Sequence, residues 1–222
     1  MTFIKSIAAI LLFMFILPVS ILQAQEKAEA EPNLLQPGSK ALMFQISENF
    51  SLESFSGSMI SYKRQISEDR ARRIGLSLFN RYNSVSSPDS DVDRNDANFD
   101  LIIDASYTWK TYTNPESDIK FYYGYGPGVG FGINRDVREQ TGLERVNRSL
   151  TVAVEGLAYA GVEWLFHSSM SLHAEYGGSI RFQYTDSKNT VETSGDEEVS
   201  NNYITGINVG GNGVRFGLSV YF

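Results

Sequence analysis

Val214-Arg215-Phe216-Gly217-Leu218-Ser219-Val220-Tyr221-Phe222, the last nine residues, place an apolar side chain at every even position and end on an aromatic. Successive side chains of a strand point to opposite faces. Val214, Phe216, Leu218, Val220 and Phe222 therefore line one face, and Arg215, Gly217, Ser219 and Tyr221 the other. A water-soluble strand can show the same alternation. What decides between the two is that the pattern recurs along the chain behind a segment built for export.

That segment is Met1 to Ala24. A single cation, Lys5, precedes an apolar run from Ile7 to Leu17, and Pro18 leads into small and polar residues. Residues 1–24 read as a secretory signal peptide cleaved after Ala24, with an apolar run too short for a membrane-spanning helix. No later run approaches the roughly 20 apolar residues that such a helix needs. Loss of residues 1–24 leaves 18 basic against 26 acidic residues, a net charge of −8, which excludes nucleic acid as an expected partner. The chain has no Cys. Disulfides, thiolate metal sites, a Cys nucleophile and an acylated N-terminal Cys are excluded with it. Residues 25–38 form a polar, Pro-containing lead, and 39–222 have the length of one domain.

That domain divides into eight alternating segments. The first, Lys40 to Ser47, sets Leu42, Phe44 and Ile46 against Met43, Gln45 and Ser47. The second, Phe55 to Ile66, is irregular: Ile60, Tyr62 and Ile66 share a face, with Phe55 and Met59 opposite, so a bulge or a displaced boundary is expected. The third, Arg72 to Tyr82, opposes Ile74, Leu76, Leu78 and Tyr82 to Arg73, Gly75, Ser77 and Arg81. In the fourth, Phe99, Leu101, Ile103, Ala105, Tyr107 and Trp109 oppose Asp100, Asp104, Ser106, Thr108 and Lys110. The fifth sets Ile119 to Ile133 at odd positions against Gly124, Gly126, Gly128, Gly130 and Gly132. The sixth opposes Leu150, Val152, Val154, Val162, Trp164 and Phe166 to Thr151, Glu155, Tyr159 and Glu163. The seventh opposes Met170, Leu172, Ala174, Tyr176, Ile180, Phe182 and Tyr184 to Ser171, His173, Glu175, Arg181 and Gln183. In the eighth, Tyr203 to Phe222, the apolar parity switches across Gly210 to Gly213, read as a bulge; the rival reading is a hairpin turn and a ninth strand.

Connections alternate in length. Ser67 to Ala71, Asn114 to Asp118 and His167 to Ser169 read as tight turns, whereas Asn83 to Asn98, Asp136 to Asn147 and Thr185 to Asn202 read as long polar loops. Trp109, Trp164, Phe166 and Phe222 fall near the short-turn ends, and Tyr82, Tyr184 and Tyr203 toward the other ends, as two aromatic girdles. The polar faces carry Asp104, Lys110, Lys120, Glu155, Glu163, Glu175 and Arg181. So many charges cannot form the dry core of a soluble barrel. They can fill the inside of a barrel whose outside is lipid. The expectation is an all-β, eight-stranded, antiparallel up-and-down transmembrane barrel. Its lumen should be filled by side chains, with Arg181 and the lysines neutralising the carboxylates.

The export signal, the eight segments, the loop asymmetry and Phe216 to Phe222 together resemble the small outer-membrane β-barrel proteins of Gram-negative bacteria. The resemblance covers nearly all of residues 25–222. It implies residence in the cell outer membrane, contact with outer-membrane lipid and lipopolysaccharide, and recognition of the terminal Phe222 by the barrel-assembly machinery. Family members include adhesion and structural barrels, narrow porin-like conduits and a few lipid-modifying enzymes, and the charged lumen points to the first group. The fifth and sixth segments, about 17 to 19 residues where about 9 to 11 span a bilayer, are expected to project as a ribbon open to protein partners by strand addition.

Three residue sets resemble sites. Gly124 to Gly132 lacks the three-residue gap of a dinucleotide loop and reads as room for bulky lumen neighbours such as Tyr112 or Tyr159. Asp89-Ser90-Asp91-Val92-Asp93 starts like a calcium loop, but Arg94 stands where Gly is needed and Asp100 where a bidentate Glu is needed. It reads as a solvated acidic loop. Ser171, His173 and Glu175 are a nucleophile, base and acid on one strand face, yet side chains two apart on a strand are about 7 Å apart at the backbone. They read as a hydrogen-bond network with Arg181. No catalytic, cofactor-binding or metal-binding residue is assigned, and the chain is expected not to be an enzyme.

Overall fold

The computed structural model describes residues 35–47, 50, 57–87, 94–140, 143–193 and 196–222. The signal peptide, the lead up to residue 34, Phe55 and the acidic loop Asp89 to Asp93 lie outside the described residues. Eight strands run in chain order: β1 (Lys40–Ser47), β2 (Ser58–Ser67), β3 (Arg70–Ser87), β4 (Arg94–Tyr112), β5 (Ile119–Gln140), β6 (Leu143–His167), β7 (Met170–Thr193) and β8 (Asp196–Tyr221). Each pairs antiparallel with the next. β1 also pairs with β8, from Ala41↔Tyr221 to Ser47↔Arg215, which closes the sheet into a barrel.

The alternation read from sequence decides which side chains face out. Phe121, Tyr123, Tyr125, Val129 and Phe131 are exposed on β5, while Tyr122, Gly124, Gly128 and Gly130 are buried between them. Lys63, Lys110, Glu163 and Ser171 are at most 1% exposed, whereas Trp164 and Phe216 are 50% and 59% exposed. A water-soluble barrel has the reverse arrangement. Both aromatic girdles are present on the outside. At the turn end Trp109 lies 5.7 Å from Tyr125 and Trp164 lies 5.7 Å from Phe166; toward the other end Tyr184 stacks on Tyr203 at 6.2 Å.

The tight turns fall where expected, at 68–69, 113–118 and 168–169. In the first, the Ser67 hydroxyl donates to Asp69 Oδ1 at 2.7 Å and holds that carboxyl below the usual carboxylate range. The barrel ends, Lys40 and Phe222, meet on this same side, where Phe222 N donates to Lys40 O at 2.9 Å. Leu35, just ahead of β1, is buried with Ala71, Tyr112, Tyr122 and Tyr159.

One of two alternatives is decided, and three expectations are corrected. The second segment is displaced rather than bulged across its middle: β2 starts at Ser58, and Met59 is an inward residue in unbroken register with β3 from Ser58↔Leu78 to Gln65↔Ala71. The three long loops are mostly strand. Pairing continues to Ser87↔Arg94, Gln140↔Leu143 and Thr193↔Asp196, so the residues read as loops extend the wall. The projection is therefore not a two-stranded ribbon of the fifth and sixth segments but a six-stranded one, β3 to β8, with β5 and β6 in its interior. Its edges are β3 beyond Leu78 and β8 before Arg215, which have no strand on their outer side among the described residues. Finally, Tyr112 is not among the side chains against the glycine face; Tyr159 lies at Gly124, Glu155 at Gly128, and Arg181 with Asp104 at Gly130.

The bulge in the eighth segment is present. Register passes from Tyr176↔Val214 to Gly178↔Gly211, so Gly177 alone opposes two residues of β8, and Gly213 takes the left-handed conformation (φ 69°) that a bulge requires.

Candidate functional site

The lumen holds the chain's concentrated chemistry, stacked in three levels. At the turn end, Glu163 on β6 accepts from five donors brought by four other strands. Lys63 Nζ on β2 lies 2.9 Å from Oε1, and Lys110 Nζ on β4 lies 2.8 Å from Oε2. Tyr112, Ser171 and Tyr221 hydroxyls donate at 2.6, 2.7 and 2.5 Å. Lys63 also reaches the Tyr221 and Tyr112 oxygens. Lys110 sits 3.4 Å from the centre of the Tyr122 ring, a cation on an aromatic face. A buried carboxylate survives only when paired and hydrogen-bonded, and Glu163 is saturated.

The middle level is a bidentate pair. Arg73 Nη1 and Nη2 on β3 donate to the two Glu175 oxygens at 2.7 and 3.2 Å, and the guanidinium lies 4.2 Å from the Tyr159 ring centre. Thr108 fixes Tyr159 through its hydroxyl at 2.9 Å. The glycine face makes room for this level: a Cβ at Gly124 would overlap the Tyr159 ring, and one at Gly130 would overlap Arg181 and Asp104. Toward the ribbon end, Arg181 on β7 pairs with Asp104 at 2.9 Å and lies 3.7 Å from its cross-strand neighbour Glu155. A cavity of about 230 Å³ lies here, floored by Tyr159 and the Arg73–Glu175 pair, with Arg181, Arg215 and Asp104 in its wall.

All seven charges expected inside the barrel are there; Lys110 with Glu163 and Arg181 with Glu155 pair as expected, and the other pairings differ. Arg181 neutralises Asp104 and Glu155, not Glu163 or Glu175. Lys120 pairs with no carboxylate among the described residues; it donates to the backbone oxygens of Pro115 and Ser117 in its own turn. Among the described residues, two buried charges stand outside the expected set, Lys63 and Arg73. The parity of Lys63 with Ser61 and Gln65, opposite Ile60, Tyr62 and Ile66, was the signal available, and Arg73 stood on the polar face of the third segment.

Ser171, His173 and Glu175 share the inward face, yet each serves a different partner. Ser171 donates to Glu163, Glu175 binds Arg73, and His173 Nδ1 lies 3.4 Å from Ser219. His173 Nε2 rests against Gly217 with no hydrogen bond among the described residues. Nucleophile and base are not joined, and the expected network with Arg181 does not form either. No cluster of three or more metal-ligating side chains occurs among the described residues.

Comparison with protein-family models and with curated proteins gives no match. Among solved structures, the chain is similar to the crystal structure of Acinetobacter baumannii CarO2, at 8% identity and a TM-score of 0.41 over 84% of this chain and 99% of that one. It is also similar to Ail, the attachment invasion locus protein of Yersinia pestis, at 10% identity and a TM-score of 0.30 over 84% of this chain and all of that one. Both are small eight-stranded outer-membrane β-barrels of Gram-negative bacteria.

Proposed function

We propose that this chain is an outer-membrane β-barrel with a closed lumen that acts as a structural and surface-presenting protein rather than as an enzyme. The supporting observation is the five-donor Glu163 cluster, which fills the turn end of a barrel whose outside is apolar. In this orientation the short turns face the periplasm and the six-stranded extension rises above the outer leaflet. Its β3 and β8 edges, which have no neighbouring strand among the described residues, offer a surface protein partner a place for strand addition.

Planar-bilayer recording of the refolded protein tests the closed lumen. The expected result is no stable conductance, because eight strands leave an interior little wider than its own side chains. A reproducible ohmic step would overturn it in favour of a narrow conduit. The same preparation should migrate differently on a gel before and after boiling, as a closed barrel does; identical migration would remove the membrane reading altogether.

Phe222 carries a second test. It is 46% exposed in the turn-end girdle, and its backbone closes the β1–β8 seam against Lys40. Deleting Phe222 should lower the amount of assembled barrel in cells and raise its degradation, read by the boiled-to-unboiled ratio. Unchanged assembly would exclude Phe222 as the signal to the barrel-assembly machinery.

A further inference from the structure

Just past the apolar band, the outer face of the wall carries three cations in a row. The register places Arg135 of β5 directly opposite Arg148 of β6, and Arg148 directly opposite Lys188 of β7. All three are exposed, in phase with the lipid-type side chains of their strands. One step toward the turn end the same strands present Ile133 opposite Leu150, and Leu150 opposite Asp186. A groove runs between the two rows, with Ile133 and Leu150 on its apolar side and the three cations along its polar side.

Like charges placed directly opposite on neighbouring strands repel. Neither arginine nor Lys188 forms an ion pair among the described residues. The one carboxylate lining the groove, Asp186, leaves a surplus of two positive charges on the patch. Three adjacent strands span roughly 10 Å, the distance between two phosphates on one headgroup rather than the size of a single ion. Arginine forks suit phosphate oxygens, and Ile133 and Leu150 lie where acyl chains begin.

We propose that Arg135, Arg148 and Lys188 form a receptor for a lipid headgroup carrying two phosphates in the leaflet around the barrel, with its acyl chains along Ile133 and Leu150. The inference rests on the reading of the barrel's exterior as lipid-facing. It names the lipid class that this face selects and the residues that do so.

The test uses the full barrel refolded into phosphatidylcholine vesicles doped with diphosphorylated lipid A or, in a parallel arm, with phosphatidylglycerol. Lipid phosphorus retained after extraction into detergent is then measured. The native protein should retain the diphosphorylated lipid in preference. A cation near a membrane surface contributes roughly a fivefold factor, so Arg135→Gln/Arg148→Gln/Lys188→Gln should weaken retention about a hundredfold. Heat-modifiable migration should be unchanged in that variant, because all three side chains are on the surface. Arg148→Lys keeps the charge and should keep most of the retention. Equal retention by the triple variant would overturn the site, equal retention of phosphatidylglycerol would overturn the two-phosphate headgroup, and displacement by inorganic phosphate at matched concentration would overturn a lipid ligand. Native protein that does not insert into vesicles would bring down the membrane reading and this inference together; insertion without lipid preference would bring down this inference alone.

Discussion

Glu163→Ala is expected to lower the stability of the folded barrel by about 3–5 kcal/mol, because removing one partner of a buried ion pair leaves the other charge without compensation. Here two cations are stranded, Lys63 and Lys110, and three hydroxyls on Tyr112, Ser171 and Tyr221 lose their acceptor. The chain's two tryptophans, Trp109 and Trp164, provide the signal for a urea titration in detergent. A midpoint equal to that of the native protein would refute the plug. Replacing the triad together, Lys63→Met/Lys110→Met/Glu163→Leu, should recover much of the loss, since well-packed apolar groups often match a buried ion cluster in stability. That recovery would separate the charge effect from a simple packing defect.

Arg73→Ala should cost a similar about 3–5 kcal/mol by stranding Glu175, and it also removes the guanidinium from the Tyr159 ring. Arg73→Lys should restore only part of the loss, because an ammonium cannot reproduce the two parallel bonds at 2.7 and 3.2 Å. Arg181→Ala provides the contrast. Its pair with Asp104 is 22% and 26% exposed, so water partly compensates the carboxylates it leaves and its loss should cost less than that of Arg73. An Arg181→Ala protein less stable than Arg73→Ala would reverse the order of the levels.

The contrast also marks how far the sequence could be read. The closed eight-stranded barrel, the inward and outward faces, the girdles and the Gly210 to Gly213 bulge were all legible, because an apolar outside and a polar inside impose a period of two. Above the apolar band both faces meet water, so the period fades although backbone pairing continues. For this reason Asn83 to Asn98, Asp136 to Asn147 and Thr185 to Asn202 looked like loops. The inward charges were legible as a set, but their pairing was not. Which residue of β3 meets which residue of β7 depends on the stagger of the strands around the ring, and a single strand's alternation carries no trace of it. Arg73 and Glu175 are 102 positions apart, and nothing local distinguishes that match from Arg181 and Glu175.

The unequal height of the wall has a consequence for how the ring forms. Seven of its eight strand contacts join chain neighbours through hairpins, so they can zip from their turns with little loop-closure entropy to overcome. The eighth joins Ala41 to Tyr221 and stops at Ser47↔Arg215, only seven rungs on. It carries the largest entropic penalty and, together with the equally short β1–β2 seam, the shortest run of paired residues in the ring. Closure at this seam should be the slow final event of assembly, and amide exchange in the inserted protein should begin there, with β1 losing protection before the tall β5–β7 wall shows any.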